Sequence, residues 1–181
     1  MNKHLFFRIA RVAVLATIAA NAYAGSEAAT PWGIEIGGAC QAGVEKMGNV
    51  HQKSVGDGDI LYVAADRDAL YQGAKEITLR CSEGKVIALH LVAPKEGMDN
   101  PAARTTYQTL SKRYKRVAGA PIPRLGDGYA RFVQGSSVIE IDSPHLSFDF
   151  TVTFLTKDFY NQIVAHNKKQ AAERSARRAG M

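Results

Sequence analysis

From Leu146 to Phe154 the chain alternates without a break: Leu146, Phe148, Phe150, Val152 and Phe154 against Ser147, Asp149, Thr151 and Thr153. Successive side chains of a strand point to opposite faces, so the pattern specifies a strand with one buried and one wet face. One wet face goes with antiparallel pairing, because parallel sheets are covered on both sides by their crossover helices. With helical patterns elsewhere in the chain, the predicted class is α+β: an antiparallel sheet packed by helices.

The remaining elements follow from period and punctuation. Trp32 to Ile36 alternates as a short strand does, and Gly37-Gly38 ends it. Ala39 to Met47 reads as a helix with Cys40, Val44 and Met47 on one face and Gly48 as its stop. Ile60–Ala64, Glu76–Cys81 and Val86–Val92 read as strands, the last two joined by Ser82-Glu83-Gly84-Lys85 into a hairpin. Ile77, Leu79 and Cys81 lie on one face of the first of these two strands, and Ile87, Leu89 and Leu91 on one face of the second. A second helix starts at Asp99 or Asn100, with Pro101 in its first turn, and runs to Gly119 on the stripe Ala103, Tyr107, Leu110, Tyr114 and Val117. Tyr129–Gln134 and Ser137–Asp142 flank Gly135-Ser136, a two-residue hairpin of type II′. A last helix is capped by Thr156 and buries Phe159, Ile163 and Val164.

The order helix, three strands, helix, three strands, helix suggests one module used twice, with halves at residues 32–95 and 99–167. Gly56-Asp57-Gly58 and Gly126-Asp127-Gly128 each precede the first strand of a trio. The expected core gathers Ile87, Leu89, Tyr107, Leu110, Phe148, Phe150 and Val152.

Residues 1–24 have the pattern of a cleavable export signal: Lys3, Arg8 and Arg11, an apolar run from Val12 to Ala20, then Ala22-Tyr23-Ala24. The expected location is periplasmic or secreted, and residues 25–167 form one domain. The formal net charge of +6 sits at the two ends. Residues 168–181 carry Lys168, Lys169, Arg174, Arg177 and Arg178 against Glu173 alone, while residues 25–167 hold 15 basic and 16 acidic side chains. A body without a basic stripe excludes a nucleic-acid partner. The tail loses its apolar residues after Val164 and is expected to fray. In an oxidising compartment the two cysteines, Cys40 and Cys81, read as one disulfide stapling the first helix to the sheet. The rival reading, a catalytic thiol, has no C-x-x-C and no nearby histidine to support it.

No nucleophile elbow, zinc-protease helix, P-loop or dinucleotide fingerprint occurs, and no cofactor is implied. His51, His90, His145 and His166 lack metal-ligand spacing, so no metal site is expected. Asp57 and Asp59 begin a calcium-like loop that lacks its other ligands, and Asp66 and Asp68 read as turn residues.

The opening Trp32-Gly33-Ile34-Glu35-Ile36-Gly37, the turn Gly84-Lys85-Val86, and Tyr107, Leu110 and Tyr114 on the second helix give the chain a resemblance. It is similar to small periplasmic modules of the beta-lactamase-inhibitory-protein and SmpA/OmlA types. There is no lipobox, and Gly48-Asn49-Val50 replaces the Gly-x-Pro that often closes the first helix of the second type. The resemblance implies a helix-plus-antiparallel-sheet fold that binds other proteins. The leading expectation is therefore an exported, non-catalytic protein-binding module: an inhibitor, an immunity-type protein or an envelope assembly factor. Lys112, Arg113, Lys115 and Arg116 are its candidate partner-binding cluster. Two alternatives stand beside it. One is an envelope hydrolase built from scattered residues such as Asp142, His145 and Asp149. The other is an envelope protein that holds anionic lipid or cell wall through Lys168, Lys169, Arg174, Arg177 and Arg178.

Overall fold

The computed structural model describes residues 28–96 and 99–179. The export-signal segment lies outside the described residues. The elements run α1 (Cys40–Met47), β1 (Val50–Ser54), β2 (Ile60–Ala64), β3 (Glu76–Ser82), β4 (Lys85–Pro94), α2 (Pro101–Arg113), β5 (Lys115–Gly119), β6 (Gly128–Gln134), β7 (Ser137–Ser143), β8 (Asp149–Thr156) and α3 (Lys157–Ala179). The strands form one antiparallel sheet of eight in the order β1-β2-β3-β4-β8-β7-β6-β5. The fold is α+β with helices on an antiparallel sheet. Each expected trio is a quartet, so the chain runs helix–four strands twice, and the last strands of the two quartets meet mid-sheet with Leu91 opposite Val152. Each Gly-Asp-Gly falls at the approach to the second strand of its quartet.

The two strands that the alternation missed are the outermost ones. β1 reads Val-His-Gln-Lys-Ser and β5 Lys-Arg-Val-Ala-Gly. Edge strands bury little, so they carry no period-two signal. β5 also shortens the second helix. The helix ends at Arg113, Tyr114 turns extended (φ −127°, ψ 148°), and Lys115–Gly119 pairs with β6. Tertiary pairing has overridden a helical pattern. Tyr114 is still buried, with its ring edge-on to Phe154 at 6.2 Å, whereas Val117 sits at a bulge and is 50% exposed. Gly119 is at φ +74°, and a Cβ there would lie 2.1 Å from the Tyr129 carbonyl oxygen, so only glycine fits.

α1 and α2 cover one face of the sheet over a core of Ile34, Ile36, Leu79, Leu89, Leu91, Phe132, Ile139, Ile141, Phe150 and Val152. Leu110 joins it, and Tyr107 packs on it half-buried. Three expectations are corrected. Ile87 is only half-buried, because a bulge opposite Arg80 and Cys81 pairs Cys81 with Val86 and leaves Ile87 unpaired. The bulge reverses the phase, and Val86 takes the core position beside Leu89. Phe148 is 77% exposed and Leu146 88%, because β8 begins only at Asp149 and both residues ride the turn before it. Trp32–Ile36 is not a strand. Pro31–Gly33 is a 3-10 turn, and Ile34 and Ile36 reach the core while their N–H groups bond to Pro31 and Ala29 carbonyls. The hairpin turn Glu83-Gly84 has both residues at positive φ (49° and 74°), as a type I′ turn needs, and Gly135 is at φ +51° in the second two-residue turn.

Cys40 and Cys81 are joined, with Cα atoms 5.9 Å apart, so the disulfide ties α1 to β3 as expected. α3 starts on the opposite face of the sheet. The Thr156 hydroxyl accepts the Phe159 N–H at 3.3 Å, and Phe159, Tyr160 and Ile163 are half-buried. Tyr160 takes the place expected for Val164, which is exposed. The tail is helical to Ala179, and residues 164–178 are all exposed. Ala, Lys, Gln, Glu and Arg are strong helix formers, and the docked first turns supply the costly nucleus. Deleting residues 168–181 should leave the melting temperature of the protein unchanged, since it uncovers no core. A drop of several degrees in calorimetry would show instead that the arm is part of the body.

Candidate functional site

The face opposite α1 and α2 carries ranks of polar side chains set by the ladder register. One rank runs Arg131, Glu140, Thr153, His90 and Thr78 across five strands. Four of its five members are already paired, and Thr78 is buried. Arg131 Nε donates to Glu140 at 2.9 Å, the Tyr129 hydroxyl donates to the same carboxylate at 2.5 Å, and the Arg131 guanidinium lies 4.8 Å over the Tyr160 ring. Burial, then Glu140, pushes the Tyr129 phenol above its ordinary value. His90 Nδ1 hydrogen-bonds Thr153 Oγ1 at 2.8 Å, and burial pulls its pKa down, which favours the neutral ring. This face holds the first turns of α3.

Between the β3–β4 hairpin and α3 lies an open groove of about 960 Å3. Its polar centre is Asp59, almost wholly covered, with both Arg80 Nε (2.7 Å) and an Arg80 terminal nitrogen (2.6 Å) on its Oδ2. Arg80 also stacks 4.9 Å over the Phe159 ring. A hydrogen bond from the Ser82 side chain, then those of Arg80 and its charge, hold the Asp59 carboxyl below its ordinary value against the opposing cost of burial. A carboxylate committed to an ion pair is not a free base. It does make a pH prediction. A depressed folded pKa contributes stability above the unfolded carboxylate value, and that contribution is lost as pH falls through the folded value. Asp59→Asn should therefore cost most at neutral pH, and its deficit should close in urea titrations run below the carboxylate range. A deficit independent of pH would refute the assignment.

The scattered hydrolase set lies at and beside the β7–β8 turn: Asp142 on β7, His145 in the turn and Asp149 at the start of β8. Asp149 is bound to Lys75 at 2.5 Å, and the backbone N–H of His145 donates to Asp127 at 2.7 Å. Burial, then Glu140 and Asp127, raises the Asp142 pKa. The buried Nδ1 of the His145 ring has no hydrogen-bond partner among the described residues. The basic cluster is divided as well: Lys112 and Arg113 end α2, while Lys115 and Arg116 lie on β5, where Arg116 donates to the Tyr107 hydroxyl at 2.9 Å. Lys168, Lys169, Arg174, Arg177 and Arg178 all lie on the exposed arm of α3. Among the described residues no group of three or more His, Cys, Asp or Glu could hold a metal, and no helix is long and apolar enough to cross a membrane.

The arrangement that stands out is the β7–β8 turn, which alternation had placed in the core. It is braced along its length. Lys95, itself buried, donates through Nζ to the Pro144 carbonyl at 2.5 Å and through its backbone N–H to Phe148 at 2.8 Å. The Ser147 N–H returns to Pro144 at 3.1 Å, and Ser147 Oγ accepts the Asp149 N–H at 3.0 Å. Behind the turn, buried Asn100 accepts from Ser143 Oγ at 2.9 Å and donates to the carbonyls of Pro123 (3.2 Å) and Gly126 (3.4 Å). The start of α2, the β5–β6 loop and the end of β7 are thereby fixed together. This braced turn holds Leu146 and Phe148 out in water, with half-exposed Leu125 on the neighbouring loop. No family model, no curated protein and no solved structure matches the chain.

Proposed function

We propose that the protein is an exported, non-catalytic protein-binding module of the cell envelope, and that Leu146 and Phe148 are its contact. The observation that carries this is their exposure on a braced turn. Burying each would gain about 1.5–3 kcal/mol, yet the fold holds both in solvent. A partner that covers them recovers that energy without ordering the turn first. The disulfide fits an oxidising compartment.

The test is site-specific crosslinking in cells. A photoreactive phenylalanine analogue at position 148 should give discrete protein adducts. The same group at Gln52, on the polar outer strand, should give none. Leu146→Asp should abolish the adducts from 148, and adducts that persist would sink the proposal. Folding serves as a control: Phe148→Ala should change stability by no more than about 0.5 kcal/mol in urea denaturation.

The exposed basic arm carries a second reading, contact with an anionic surface. Basic residues near such a membrane contribute about 1 kcal/mol each, screened by salt. The protein lacking residues 168–181 should bind phosphatidylglycerol vesicles more weakly at low salt than the full chain. Equal binding would remove this role.

A further inference from the structure

The helical layer has a gap above the middle of the sheet, and its width follows from topology. α1 packs over β3 and β4, and α2 over β6 and β7. The midpoints of those strand pairs are three strand spacings apart, about 14 Å at the usual spacing of about 4.8 Å. Helices in contact sit only about 8–10 Å apart. The remainder has room for one flat side chain.

The gap is a slot of about 240 Å3. Its floor is Leu91, Val152 and Phe154, from the two central strands. Trp32 and Tyr114 stand over the floor, each ring edge-on to Phe154 with centroids 6.2 Å away. Hydroxyls in the walls are turned to other partners. Tyr71 pairs with Thr106 at 3.1 Å, Thr106 donates to the Ala102 carbonyl at 2.9 Å, and Thr109 donates to the Thr105 carbonyl at 3.1 Å. Apart from the Thr105 and Tyr114 hydroxyls and Arg113, the lining that remains is apolar. Trp32 holds its place at φ +50°, a left-handed conformation that is costly for a bulky residue and tends to gather at ligand clamps. At the mouth, Arg113 lies 5.9 Å over the Tyr114 ring and makes no ion pair among the described residues.

We propose that this slot binds a single aromatic ring bearing a carboxylate, the ring above Phe154 between Trp32 and Tyr114 and the carboxylate on Arg113. Size and charge select this class. A cavity of about 150 Å3 takes up benzene, and drug-sized sites begin near about 300 Å3. The slot therefore fits one ring with a short arm, and the lone cation at its mouth selects the arm's charge. The chemistry is that of a free aryl acid or of a peptide ending in phenylalanine or tyrosine. The proposal rests on nothing at Leu146 or Phe148.

Trp32 is the single tryptophan of the chain, so its fluorescence reports the slot directly. Titration of the full protein with phenylpropionate should give a saturable change with Kd of about 0.1–1 mM, ordinary for so small a ligand. Phenylpropanol, without the charge, should bind more weakly. Arg113→Gln should weaken phenylpropionate about tenfold and leave phenylpropanol unchanged, since a charge-assisted contact is lost but the ring pocket is not. Thr109→Phe, at an exposed position on the rim, should weaken both. Acetyl-Gly-Gly-Phe with a free carboxylate separates the sources: tighter binding than phenylpropionate assigns a chain terminus, and weaker binding assigns a free acid. No saturable change in Trp32 emission, or equal affinity of the tripeptide acid and its amide, would overturn the proposal.

Discussion

Phe150→Ala should destabilise the protein by about 3–5 kcal/mol, the usual cost of truncating a fully buried phenylalanine. Phe150 is wholly covered and lies opposite Ala93, in the central strand pair that joins the two quartets. Its neighbours come from a sheet and a helical layer that cannot both collapse into the vacated space, so the cavity term should persist. The comparison with Phe148→Ala sharpens the test, because the two residues share chemistry and are two positions apart on one alternating segment. Urea denaturation with unchanged m-values should separate them by at least about 2.5 kcal/mol. Similar losses would mean that Phe148 is packed.

Replacing both Cys40 and Cys81 by alanine should cost about 4 kcal/mol, from the unfolded-chain entropy released when a loop of this length is opened. The sequence separation is 41 residues. The effect should begin at α1. Eight residues are too few for a helix to hold by itself. Apart from the bond, α1 is seated by close approach at Gly43, where a Cβ would come within 3.0 Å of Val86 and 3.1 Å of Leu79. Hydrogen exchange in the double variant should therefore rise first in residues 40–47, and thermal unfolding should fall by many degrees. A reductant should do the same to the parent protein and nothing further to the variant. If the parent's melting curve is indifferent to reductant, the bond contributes nothing.

What the sequence made legible was whatever buries one face and wets the other. β2, β3, β6, β7 and the buried half of β8 could be read because Ile77 and Leu79, or Phe150 and Val152, alternate with partners that face away. Phase was the weak point. Nothing local distinguishes Val86 from Ile87, since both are β-branched and apolar, and the bulge that selects Val86 exists only in the pairing with Arg80 and Cys81. Alternation also does not say where pairing begins, so Leu146 and Phe148 read as core although they precede the strand. The end of α2 was hidden for a related reason: Tyr114 and Val117 continue its stripe, and only the vacant edge of β6 draws Lys115–Gly119 into the sheet. The slot was beyond reach altogether. Trp32, Tyr71, Arg113 and Phe154 are far apart in the chain, and the gap between them depends on how far apart two helices stand.

Among the described residues the sheet is open, with β1 and β5 at its margins. An unpaired edge exposes a row of N–H and C=O groups that can template a strand from another molecule. At one margin Gln52, Lys53 and Ser54 would each have to be dehydrated for such a strand to dock. At the other, Lys115 and Arg116 are both exposed, and the bulge at Val117 spoils the straight register that an incoming strand requires. Two copies meeting at β5 would set like charges against each other before a single ladder bond had formed. The margins therefore guard a crowded solution of this protein against end-to-end polymerisation of its sheets, with a polar strand on one side and a charged, bulged one on the other.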